Sequence, residues 1–156
     1  MTSAHPIIEG LFETHINVRN LEQSMDFYGQ VLGLELAHLE EQRRIAFYWI
    51  GGRGQAMLGL WETPPEEVAT QHFAFRTSLE KLHLAAAYLR ERQLTGYNFL
   101  GDGTDVPMVF GWMPALALYF RDPDGHSLEF ITMLEGQPRP ELGVISLEAW
   151  EALQQD

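Results

Sequence analysis

One pattern occurs twice in this chain: a short alternating segment, a polar cap, an amphipathic helix, then more strand-like segments. The first copy opens with residues 11–18 (LFETHINV), capped by Asn20 with Gln23 three positions on; Leu21, Met25, Tyr28 and Leu32 then fall on one helical stripe. Gly33 follows as a helix-ending glycine, and residues 34–39, 45–50 and 56–61 read as three strands separated by turns at 40–43 and 51–54. After a linker containing Pro64 and Pro65, residues 71–77 (QHFAFRT) restart the pattern. Thr77 or Ser78 caps a helix over 79–94 with Leu82, Ala85, Ala86 and Leu89 inward. A strand near 97–100, a Gly/Asp/Pro-rich loop over 101–107 and a hairpin-like pair at 116–121 and 127–133 complete it. A duplicated supersecondary unit cannot bury its apolar face alone. The expected fold class is therefore α+β: two tandem βαβββ units, 9–62 and 70–134, in one domain spanning 1–156. A tail helix over 141–156, capped by Ser146 and carrying Leu147, Trp150 and Leu153, is too short to stand alone and is expected to dock.

The repeat gives meaning to three scattered residues. His15 and His72 occupy similar places in the first strand of each unit, a few residues ahead of the helix cap. Glu129 lies between Leu128 and Phe130 on a core strand, where a carboxylate is costly to bury unless it is paired or bound to a metal. Two imidazoles and one carboxylate on one face would hold a divalent cation and leave positions open for water or substrate. His126 and the aspartates of Asp122-Pro123-Asp124-Gly125 read instead as turn residues, and His5, His38 and His83 as surface.

Ten Lys and Arg against twenty-two Asp and Glu give a net charge of −12, which disfavours nucleic acid and anionic membrane surfaces. No segment is long and apolar enough to span a bilayer, and the N-terminus lacks a basic region followed by an apolar run, so a cytoplasmic location is expected. The chain has no cysteine, which excludes thiolate ligands and a cysteine nucleophile. Any thiol in the chemistry would be a cosubstrate.

Two βαβββ units with a histidine on the first strand of each, the run RDPDGHSLEFI and the stretch NVRNLEQSMDFYGQVLGLEL resemble the vicinal oxygen chelate superfamily over roughly residues 9–134. That superfamily includes glyoxalase I, fosfomycin-resistance enzymes, extradiol dioxygenases and bleomycin-binding proteins. The resemblance implies curled mixed sheets around a metal-containing cleft. It also implies one divalent transition metal, Fe, Mn, Ni or Zn, held by His15, His72 and Glu129, and a small substrate chelating through two oxygens. Thiol or dioxygen is the possible cosubstrate, and a homodimer is expected, also from the apolar residues of the tail helix. Tyr119 matches a family active-site tyrosine suited to donate to a developing oxyanion, and Asn17 stands where a threonine would. Strand alternation permits Asn17 to share a face with His15, and Arg76 with His72, so both are candidates for orienting substrate. Trp112 and Met113, in a loop beside Gly111 and Pro114, are candidates for lining the cleft. The glutamate that moves the substrate proton in glyoxalase I is matched here by Gly59, which is expected to face an opening filled by water or substrate. Glu62 cannot replace that glutamate, because an offset of three puts it on the other face. Isomerisation, ring cleavage and thiol addition remain alternatives, as does a bleomycin-resistance-like protein that binds without catalysis.

Overall fold

The computed structural model describes residues 7–155; His5 lies outside them. The chain divides between Ala69 and Thr70 into two compact units.

In the first unit, strands β1 (Glu13–Val18), β2 (Glu35–Glu40), β3 (Ile45–Ile50) and β4 (Ala56–Glu62) form a sheet in the order β1-β4-β3-β2. β1 runs parallel to β4 because a helix carries the chain across between β1 and β2, while β2, β3 and β4 form an antiparallel meander. That helix, α1 (Leu21–Met25), starts as expected: Asn20 accepts a hydrogen bond from the Gln23 backbone N–H at 2.8 Å. It does not continue as a regular α-helix, however. Asp26–Val31 are π-helical, with Leu32 N–H donating to Phe27 O at 2.9 Å, and the adjacent Phe27 and Tyr28 are both buried. Ile16, Val18, Tyr48, Leu58 and Leu60 are buried with them. Glu62 joins helix to sheet: Oε2 accepts from Leu21 N–H at 2.7 Å, and the Arg44 guanidinium grips both carboxylate oxygens at 3.0 and 2.9 Å.

In the second unit, β5 (His72–Arg76), β6 (Met108–Phe110), β7 (Ala115–Arg121), β8 (Ser127–Met133) and β9 (Val144–Ser146) form a sheet in the order β5-β8-β7-β6-β9. Helix α2 (Leu79–Glu91), capped by Ser78, buries Leu82, Ala85 and Leu89, whereas Ala86 is only half-buried. Two differences from the sequence reading concern the middle of this unit. The expected strand near 97–100 reduces to a single bridge, in which Tyr97 exchanges backbone hydrogen bonds with Tyr119 at 2.8 Å. Beyond it the buried Asn98 amide is drawn to Asp102, Thr104 and Val106, which ties the loop into a polar knot rather than a ladder. The third strand falls later, at β6, where Val109 and Phe110 are buried against β7.

The tail adds an element that periodicity did not reveal. β9 pairs antiparallel with β6 and leads directly into α3 (Leu147–Ala152). Ser146 caps α3, and Trp150 is 2% exposed with its Nε1–H donating to Glu135 O at 3.2 Å. The tail therefore docks on its own unit, and Trp150 gives no argument for a second chain. Among the described residues no helix is long and apolar enough to cross a membrane.

Candidate metal centre

The turn between β7 and β8 sets the register of the second unit. Asp122 Oδ1 accepts from the N–H groups of Asp124 and His126 at 3.0 and 2.8 Å, and Gly125 adopts φ +84°. His126, fully buried, accepts from Gln71 N–H through Nδ1 at 2.9 Å, which pins the start of β5 to β8. Asp122, Asp124 and His126 lie within 4.8 Å of one another, a spacing a cation could also use. Yet Asp122 Oδ1 and His126 Nδ1 already serve backbone N–H groups, so the cluster reads as the clasp of the turn.

The clasp sets Glu129 opposite Ala74 on β5 and opposite Tyr119 on β7, with His72 opposite Ser127. His72, Glu129 and Tyr119 thus share one face. His72 Nδ1 lies 2.9 Å from Ser127 O; a carbonyl only accepts, so Nδ1 carries hydrogen and donates. This leaves Nε2 turned toward Glu129, 3.1 Å from Oε2. The carboxylate is 5% exposed, and this burial pushes its pKa above the usual range against the opposing pull of His72 and of the hydrogen bond from Tyr119. Burial first, and then the nearby Glu129, raises the Tyr119 phenol well above its ordinary pKa, so it acts as a donor and not as a base. A metal-ligating histidine characteristically donates its second N–H to a carbonyl or carboxylate. The Nε2 to Oε2 distance also suits two neighbouring ligands of one ion, which at metal bonds of about 2.1 Å stand about 3.0–3.4 Å apart.

A cavity of about 430 Å³, formed by the second unit, opens beside this pair; Tyr119, Trp112 and Met113 line it, as the sequence suggested. Arg76 lies on the face of His72 by strand alternation but outside the cavity lining. Phe99, Phe110, Ile131, Gly143 and Val144 also line the cavity and were not anticipated. The β-branched pair Val144-Ile145 before Ser146 was the available signal for the tail's part of the lining. A smaller groove of about 260 Å³ against α2 is lined by Thr77, Lys81, Leu84, Ala85, Tyr88 and Phe130 and offers no comparable donor set.

In the first unit, His15 sits opposite Gly59. Its ring stacks on Trp61 with centroids 5.4 Å apart and meets the edge of Phe47 at 5.8 Å. Nε2 stands 3.3 Å from Glu13 Oε2, a neighbour the sequence reading overlooked although it precedes His15 by two residues on the same face. Asn17, exposed, shares this face. The expectation for Gly59 needs correction: a β-carbon there would lie 2.7 Å from His15 Cδ2 and 3.1 Å from Nε2, so the ring fills the space expected to be open. Glycine at 59 is what lets the ring lie across the strand. His38 and His83 are exposed, as expected.

The paired parallel-and-antiparallel units with histidine near the start of each first strand define a glyoxalase-type fold. Residues 10–130 match the Glyoxalase/Bleomycin resistance protein/Dioxygenase superfamily, and the chain belongs to it. It is 27% identical over 134 residues to a lactoylglutathione lyase of Neisseria meningitidis, covering 81% of this chain and 92% of the relative. It is 28% identical over 128 residues to the metallothiol transferase FosB of Staphylococcus haemolyticus, covering 81% and 85%. Among solved structures, an integron cassette protein from the mobile metagenome of a Halifax Harbour sewage outfall is 36% identical with a TM-score of 0.71, covering 81% of this chain and all of that one. The fosfomycin resistance protein FosX of Mesorhizobium loti shares the fold at 20% identity and a TM-score of 0.56, covering 82% and 95%.

Proposed function

We propose that this chain is a metal-dependent enzyme acting on a small substrate through two neighbouring oxygens, with His72 and Glu129 as two of the metal ligands. The observation that carries the reading is the His72 Nε2 to Glu129 Oε2 approach at 3.1 Å, with Nδ1 committed to Ser127 O. A divalent cation would engage both atoms in place of their direct contact. His15 remains the expected third ligand, on the strength of the sequence repeat and the family resemblance. When bound, such an ion supplies Lewis-acid stabilisation of charge on substrate oxygen. Tyr119, kept protonated, gives its one O–H to Glu129 and would turn it toward substrate oxygen once an ion engages that carboxylate, and the apolar side chains of the cavity exclude water there.

The curated relatives are named for a lyase and a thiol transferase, which supports enzymatic chemistry in this class. Gly59 offers no carboxylate at the position that the glyoxalase resemblance assigns to proton transfer. The reading therefore favours thiol addition or ring opening over hemithioacetal isomerisation.

Metal analysis of untagged protein, purified without chelators, tests the proposal. Close to one transition-metal ion per chain is expected, with most of it lost in His72→Ala and Glu129→Ala, while His15→Ala reads the third ligand separately. Full occupancy in both His72→Ala and Glu129→Ala would overturn the centre and leave a ligand-binding protein.

A further inference from the structure

The polar side chains lining the cavity beside His72 and Glu129 are these two and Tyr119, with Trp112 adding an indole N–H. Away from His72, Glu129 and Tyr119 its walls are Phe99, Phe110, Trp112, Met113, Ile131 and Val144. At about 430 Å³ it has the size of a small-molecule site. Part of its wall lies outside the stretch that matches the superfamily: that match ends at residue 130, whereas Gly143 and Val144 belong to the tail.

The tail is held there by specific means. β9 pairs with β6 so that Val144 stands opposite Phe110, and Val144 packs against the cluster of Phe110, Ala117 and Tyr119. Gly111 N–H donates to Gly143 O at 2.8 Å, and Arg139 N–H donates to Gly111 O at 2.7 Å. A β-carbon on Gly111 would come within 2.5 Å of Arg139 O, so residue 111 must be glycine for the tail to close down this far. The buried Trp150 of α3 then anchors the far end of the segment.

We infer that β9 is the specificity wall of this site, with Val144 its contact residue, and that the site admits ligands with an apolar, ring-sized body. Charged or heavily hydroxylated groups placed against Phe110, Trp112 and Val144 would lose water without gaining partners, which disfavours a peptide thiol conjugate in this part of the cavity. Only the idea that the polar end of such a ligand meets a metal rests on the function proposed above. The apolar wall does not depend on it.

The test is calorimetric titration of 2-naphthol into the protein as purified and again in the presence of a chelator. Saturable binding is expected under both conditions, with none for glycerol. Val144→Glu should weaken 2-naphthol by about tenfold or more, and Val144→Thr, which keeps the shape and strand preference of valine, by several-fold. The threonine variant keeps the test valid where glutamate disturbs the strand. Wild-type affinity in both variants, or no saturable binding of 2-naphthol to the native chain, would overturn the inference. Naphthalene-2,3-diol binding more tightly than 2-naphthol only in the absence of chelator reads the metal centre, so failure of one reading is distinguishable from failure of the other.

Discussion

Gly59→Ala is the smallest change that should disturb the first unit's histidine. The new methyl would sit 2.7 Å from His15 Cδ2, whereas carbon atoms prefer about 3.5–4.0 Å, so the ring must retreat by roughly 0.8–1.3 Å. It cannot do so freely, because Trp61 stacks on one side and Phe47 closes another. Overpacking of this kind costs about 1–3 kcal/mol, but replacing glycine also stiffens the unfolded chain and returns about 0.4–1 kcal/mol. The net loss of stability is therefore modest, about 0–2.5 kcal/mol, and poorly diagnostic. If His15 is the third ligand proposed above, metal affinity is the sharper readout. Ligand positions tolerate only about 0.2 Å, and loss of supporting contacts around a ligand typically costs about 10- to 100-fold in affinity. Competition against a fluorescent zinc chelator should show a drop of that order, accompanied by a change in tryptophan fluorescence as the ring leaves Trp61. If His15→Ala loses metal while Gly59→Ala binds it as the native chain does, the steric reasoning is refuted.

Glu62→Gln should lower stability at neutral pH by about 1 kcal/mol, since charged hydrogen bonds contribute about 1.5–3 kcal/mol and Arg44 is exposed enough to be partly screened. The Arg44 hydrogen bonds, and then the Leu21 N–H, hold the Glu62 carboxyl below its ordinary pKa. Its contribution is thus fully present above the unfolded value of about 4.3 and is lost as pH falls through the depressed folded value. Urea midpoints of the two proteins should converge as pH falls from 7 toward 3; a constant gap would contradict the assignment. Trp150→Ala should destabilise the second unit by about 3–5 kcal/mol, read by denaturant unfolding, because an almost fully buried indole leaves a cavity that the short α3 cannot close. A loss below about 0.5 kcal/mol would mean that the tail docks weakly.

What could be read from the sequence follows from where local chemistry decides the outcome. Asn20, the pair Thr77-Ser78 and Ser146 announced three helix starts, because a capping side chain, here Asn20, Ser78 and Ser146, bonds the backbone N–H three residues on. Alternation located β3 and β4 to within a residue. It failed over 97–110, where Asn98 turns its amide inward to gather a loop and where β6 is only three residues long, too short to show a period. It failed again at β9, whose partner strand had not been recognised. The pairing of His72 with Glu129 could be anticipated because the repeat and the cost of a buried carboxylate point the same way. The position of the His15 ring could not, since it depends on the absence of a side chain on the neighbouring strand. The wall at Val144 depends on a contact between tail and sheet that no local spacing encodes.

The hydrogen bond from His72 to Ser127 O has a mechanical consequence. Ser127 and Glu129 belong to one strand, and β5 is laddered to that strand from Ser127 onward, so the imidazole and the carboxylate ride on the same rigid plate. Because both groups are fixed by strand pairing, a rearrangement of the loops lining the cavity would leave the approach of Nε2 to Oε2 unchanged. An ion held as proposed above would therefore meet two ligands already in place.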